Sequence, residues 1–240
     1  MVVATKHARC SGVQKAARVR QAKRQGANVG SNGTVIEVVS DEYNGGVDIM
    51  PFGYRPGYSS TSAACTTRPT SIKVYYNSKT NTVARSTYIK DVIPNEWTIS
   101  SADPASLDCA IVIIQQYATW NTLVYDKYPN YTYDLKASSG EQNYVAGSYS
   151  SLASKYQTKI DTAYTNTQRY YMLNSSGNLF ESQYKQGVKS SAGKAGGEVK
   201  QLGCDYLATN SSYKYNWKQM CSYYYDNSSK SAKTITFKLY

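Results

Sequence analysis

"ADPASLDCAIVIIQQYATW", residues 102–120, is the stretch on which the architecture turns. Asp103 is a favoured helix-capping type, and Pro104 suits a first helical turn, where its missing N–H leaves nothing unpaired. Leu107, Ala110, Ile111, Ile114, Tyr117 and Ala118 then recur at helical spacing. The opposite face carries Cys109, Val112 and Ile113, so both sides are apolar. A helix that is apolar all round belongs in a protein interior. The segment predicts a central, buried helix.

On its N-terminal side, "SIKVYYNSKTNTVARSTYIKDVIP" (71–94) alternates apolar and polar residues around the turn "NSKTN", which predicts a β-hairpin. "YIKDVIPNEWTIS" (88–100) then sets a single carboxylate, Glu96, between Pro94-Asn95 and Trp97 in an otherwise apolar run. A glutamate beside a large aromatic has its charged form disfavoured by desolvation, which poises it as a general acid near neutral pH.

On the C-terminal side, residues 121–195 alternate short tyrosine-containing segments with Ser, Gly and Asn turns and predict strands. "YYMLNSSGNLFESQY" (170–184) predicts a hairpin turning at Ser176-Gly177. Helices are expected over about 198–208 and 216–224, followed by a final strand in "KTITFKLY". The expected fold class is α+β, with mixed Tyr-rich β-strands around the central buried helix and further helices near the C-terminus.

The remaining N-terminal chain divides in two. Residues 1–34 form a basic tail, expected to be disordered, and 35–70 hold a short strand, "VIEVVS", before a loop dense in Gly, Pro and Ser. The domain proper is expected over 71–240. The formal charge of +11 is concentrated at the start, where residues 1–36 hold seven Lys or Arg and no acid. This tail suits an anionic wall polymer or a membrane surface. Its lack of interleaved aromatics argues against nucleic acid. No apolar run is long enough for a membrane span or a signal-peptide core.

The chain has one histidine, His7, and it lies in the tail. Ser-His-Asp and Cys-His catalysis both need an imidazole held beside the nucleophile, so those classes are excluded. Proton transfer must fall to a carboxylate, tyrosine or lysine with a shifted pKa. Five cysteines, Cys10, Cys65, Cys109, Cys204 and Cys221, show no zinc-binding spacing. Cys109 reads as a small core residue, and Cys204 and Cys221 could pair if their helices pack face to face.

Five segments taken in order carry a resemblance: "YIKDVIPNEW", "PASLDCAIVIIQQYATW", "EQNY", "LFESQY" and "GGEVKQLGCDYLATNSSYKYNWKQMCSYYYD". Over roughly residues 71–226 the chain resembles the domain shared by stage II sporulation protein D and the amidase enhancer LytB. The resemblance implies a lytic transglycosylase acting on peptidoglycan glycan strands, with Glu96 as the catalytic acid in a turn between strand and helix. It implies a substrate groove that includes Trp97, Gln115, Tyr117, Gln142, Tyr144, Tyr184 and Gln201. Asp108 and Gln115 stand where the family usually has basic residues, and "EVKQLG" keeps only Gln201 and Gly203 of a longer family pattern. The alternative the resemblance offers is a non-catalytic glycan-binding enhancer of a partner amidase. It implies no cofactor and no zinc, and a location outside the cell, in the wall or spore envelope.

Overall fold

The computed structural model describes residues 28–29, 35–36 and 53–54 as strands, and 68–230 and 233–239 in full. The chain divides into two units, Met1–Ile49 and Met50–Tyr240. In the first, β1 (Asn28–Val29) pairs antiparallel with β2 (Val35–Ile36). The rest of the basic tail, with His7 and Cys10, lies outside the described residues, as do the remainder of "VIEVVS" and the loop containing Cys65.

The second unit mixes helices with small sheets and belongs to the α+β class. It begins with the two-residue strand β3 (Gly53–Tyr54). The predicted hairpin follows, as β4 (Ser71–Tyr76) and β5 (Lys79–Ala84). Its turn is tighter than "NSKTN": Asn77 and Ser78 alone make it, with φ of 51° and 60°. Two successive left-handed residues match the twist of paired strands, and Asn tolerates that conformation well.

The next segment departs from expectation. Arg85–Glu96 is a helix, α1, so Glu96 ends a helix and does not sit in a turn after a strand. Tyr88, Ile89, Val92 and Ile93 are each fully buried and recur at helical spacing, which overrides the short-range alternation. Pro94 falls in the last turn, and Asn95 Nδ2 donates to the Asp91 carbonyl at 2.7 Å, satisfying one of the terminal acceptors.

The central helix, α2 (Pro104–Thr119), is as predicted, with Asp103 accepting from the Ala105 N–H at 2.9 Å. It separates two cores. Ala110, Ile111 and Ile114 pack with Ile72, Tyr88 and Ile89, whereas Cys109, Val112 and Ile113 face Met172, Leu207 and Tyr224. The chain leaves α2 through a π turn, Trp120–Val124, into β6 (Tyr125–Asp126), which pairs with β3. The short β7 (Leu135–Lys136) adds to β4 in parallel, giving the sheet order β5-β4-β7.

Between 121 and 195 the all-strand expectation fails at Ser154–Thr167, which is a helix, α3. Only Ile160, Ala163, Tyr164 and Thr167 of it are buried, a narrow stripe among polar residues. The predicted hairpin at 170–184 is also corrected. Its turn exists, with Gly177 N–H donating to the Asn174 carbonyl at 2.9 Å, but its arms do not pair. Instead β8 (Tyr170–Leu173) pairs antiparallel with β11 (Thr236–Leu239), and β9 (Gln183–Lys185) pairs parallel with β10 (Glu198–Lys200).

The helix expected from 198 starts later, as α4 (Gln201–Thr209). The last helix, α5 (Trp217–Tyr225), is capped by Asn216, whose side chain accepts from Lys218 and Gln219 N–H while Gln219 reaches back to the Asn216 N–H at 3.0 Å. Replacing Asn216 with alanine removes both bonds and is expected to lower stability by about 1 kcal/mol in a denaturant titration. The pairing of Cys204 with Cys221 is not formed. Cys109 of α2 stands between them, its Sγ 3.7 Å from Cys221 and 3.8 Å from Cys204, and all three are buried free thiols.

Candidate functional site

Glu96 projects from the C-terminal end of α1 and is only partly exposed. Its Oε1 accepts the Asn143 N–H at 2.7 Å, and its Oε2 lies 3.4 Å from Gln201 Nε2. The same Gln201 amide donates to the Glu96 carbonyl at 2.8 Å, fastening the start of α4 to the end of α1. Trp97 is 4% exposed, with its Nε1 donating to Ser106 Oγ at 3.3 Å and its ring 5.6 Å from that of Tyr184. The buried Tyr184 hydroxyl closes no hydrogen bond of ordinary geometry, yet it lies near enough to favour the Glu96 carboxylate. Burial is the larger influence and pushes the Glu96 carboxyl above its ordinary range; the Asn143 N–H, Tyr184 and Gln201 oppose it.

Two clefts meet at residues 95–98. One, of about 270 Å³, is completed by Gln186, Gln201 and Asp205; the other, of about 430 Å³, by Ser100, Leu152 and Tyr156. Glu96 lines both. Asp205 is a second carboxylate in the first cleft that the sequence reading passed over. It accepts the Asp103 N–H at 3.1 Å, and burial raises its carboxyl as well. The signal was present in the spacing: Asp205 is four residues after Gln201, hence on the same face of α4.

Of the residues expected in the groove, Glu96, Trp97, Tyr184 and Gln201 come together. The other four sit in the interior. Gln115 and Gln142 are fully buried, Tyr117 is 6% exposed and Tyr144 is 5% exposed, and none of the four lines either cleft. Gln115 accepts from Arg85 Nη2 at 2.5 Å and donates to the Thr167 and Tyr170 carbonyls. Gln142 accepts the Tyr88 hydroxyl at 3.0 Å and donates to the Ile114 carbonyl. Tyr144 stacks on Tyr88 with centroids 5.2 Å apart. Asp108 is elsewhere on α2, beside Asn166, and burial pushes its carboxyl up to about 6.

Among the described residues no group of three or more His, Cys, Asp or Glu is arranged to hold a metal ion, and no helix is long and apolar enough to cross a membrane. The arrangement provides a partly buried acid on a residue that lines two clefts. In comparisons with known proteins, no family model matches the chain and no curated protein matches it.

Proposed function

We propose that the protein binds peptidoglycan glycan strands and cleaves them by lytic transglycosylation, with Glu96 as acid and then base. The observation that carries this reading is the partly desolvated carboxyl of Glu96, a residue that lines both clefts, with Trp97, Tyr184 and Gln201 around it. A strand lying across the junction would place one sugar in each cleft and the glycosidic oxygen over the acid. Glu96 gives its proton to that oxygen as the C1–O bond breaks. The resulting carboxylate takes the proton of the same sugar's C6 hydroxyl, whose oxygen bonds to C1. The products are a free hydroxyl on the leaving sugar, a 1,6-anhydro end and a reprotonated Glu96. An intramolecular hydroxyl takes the place of water, with the rate advantage of proximity, so a second carboxylate to activate water is not needed.

A second reading is favoured by the hydrogen bonds that Glu96 already accepts from Asn143 and Gln201. In it the same clefts hold the glycan without cutting it, and the protein enhances a partner amidase. Purified protein incubated with peptide-stripped glycan strands separates the two: anhydro-ended fragments support cleavage, and retention of strands without fragments supports the enhancer. Both readings place the protein in the cell wall or spore envelope, in wall remodelling or sporulation, with its basic N-terminal segment against anionic wall polymer or membrane surface.

The raised carboxyl gives a pH test. Glu96 must be protonated to act, so cleavage is expected to fall as pH rises through its folded-state pKa. Stability follows the same sign. A carboxyl whose folded pKa exceeds its unfolded value contributes stability that is complete below the unfolded value and is lost as pH rises through the folded one. Thermal melts of the parent and of Glu96→Gln across that window should diverge, with the parent losing more stability as pH rises than the variant, which keeps only the raised Asp108 and Asp205 carboxyls.

A further inference from the structure

We propose that the outer face of the β5-β4-β7 sheet is a second carbohydrate-binding surface, which takes an anionic polysaccharide. Its residues line neither cleft at Glu96. Ile72, Val74 and Leu135 are fully buried on the inner face. Strand alternation therefore turns Lys73, Tyr75 and Lys136 outward, with Thr82 opposite Lys73 and Thr80 opposite Tyr75.

Two tyrosines on this face are exposed, Tyr75 at 38% and Tyr131 at 57%. Both rings lean on Tyr133, at centroid distances of 5.0 Å and tilts of 36° and 31°, and Tyr133 is itself 5% exposed. The exposed rings are thus held on a buried aromatic floor. Thr80 and Thr132 hydroxyls, 2.9 Å apart, tie the Tyr131 loop to the sheet. A fixed aromatic face with hydroxyls at its edge suits the C–H face and hydroxyl rim of a pyranose.

Charge selects the kind of sugar. The neighbouring acids turn inward: Asp134 accepts the Lys73 N–H at 3.0 Å, and Glu141 is held by Lys127 and the Tyr128 hydroxyl. Lys73 and Lys136 make no ion pair among the described residues, and Lys136 Nζ lies 4.9 Å from the Tyr128 ring centre. The face therefore offers two cations and no free acid, complementary to a carboxylate-bearing chain. Single-stranded nucleic acid is the competing occupant. Rings tilted to one another give no parallel ladder for successive bases, and the cations here are lysines without the flat guanidinium that stacks on a base. The choice of a polysaccharide also rests on the proposed glycan-cleaving function; the face itself does not.

The test uses the full chain, so that the basic N-terminal segment contributes equally to every variant. Binding to polygalacturonate, neutral dextran and oligothymidylate is measured for the parent, Tyr131→Ala, Tyr75→Thr with Tyr131→Ala, and Glu96→Gln. Two lost ring contacts should weaken polygalacturonate binding about tenfold in the double variant and less in the single one, with dextran binding weakest throughout. Tyr131→Ala, at the most exposed position, keeps the test valid if the double variant melts early. Glu96→Gln should bind polygalacturonate like the parent, so loss of fragment release in that variant and loss of binding in the tyrosine variants are read separately. A loss of polygalacturonate binding in Glu96→Gln equal to that in the tyrosine variants would put the polymer in the clefts and overturn the proposal. Unchanged polygalacturonate affinity in both tyrosine variants overturns the proposal. So does tighter binding of oligothymidylate that the same variants lose.

Discussion

Glu96→Gln is expected to lower release of anhydro-ended fragments by about 10² to 10⁴-fold, the range for removing a positioned general acid. The amide keeps the length of the side chain and an oxygen to accept the Asn143 N–H, so the clefts keep their shape. It also removes a charge that burial disfavours, and the variant should melt no earlier than the parent. Loss of turnover with intact folding and intact strand binding is therefore the signature. Asp205 makes the product analysis informative. A second carboxylate in the same cleft could activate water, and hydrolysis would leave a reducing end where transglycosylation leaves an anhydro end. Anhydro ends from the parent, absent with Glu96→Gln, support the proposed route. Equal fragment yields from parent and variant would remove Glu96 from the chemistry.

How far the sequence could be read depended on how local the determining contacts were. The α2 helix was legible because both of its faces are apolar and its cap is adjacent in sequence. The β4–β5 hairpin was legible because alternation and an Asn turn sit within fourteen residues of each other. The pairings of β8 with β11 and of β9 with β10 were not, since each partner lies across an intervening stretch of chain. Helix α3 was hidden by its polar composition, with four buried residues among fourteen.

The glutamines show the same limit at the site. Gln201 lines the first cleft, whereas Gln115 and Gln142, read from the sequence as equally suited to bond a sugar, are buried and donate to backbone carbonyls. Their neighbour Gln116 donates to the Met172 and Phe180 carbonyls and accepts the Met172 N–H. Small, broken sheets leave buried carbonyls beside α2 that strand pairing does not satisfy, and buried polar groups left unpaired are costly. Long amides on α2 and its surroundings meet that need. Sequence records the amide but not which of the two demands it serves.

Gly203→Ala is expected to destabilise the fold by about 2–4 kcal/mol, combining overpacking with disruption of a buried hydrogen bond. A Cβ at this position of α4 would fall on the Ala192 carbonyl oxygen and the Tyr224 hydroxyl. Those two groups bond each other at 2.6 Å, and Tyr224 is fully buried, so neither has room to retreat. The gain of about 1 kcal/mol in helix propensity from Gly to Ala does not offset the clash. Gly203 also stands midway between Gln201 and Asp205, so a shift of α4 to relieve the overlap moves both away from the cleft and should weaken glycan binding together with stability. A double-mutant cycle checks the cause. Tyr224→Phe removes one of the two obstructing atoms, and Gly203→Ala made in that background should cost measurably less than in the parent. A cost that is the same in both backgrounds would mean that the Tyr224 hydroxyl does not limit the approach of α4, and that the Ala192 carbonyl alone sets it.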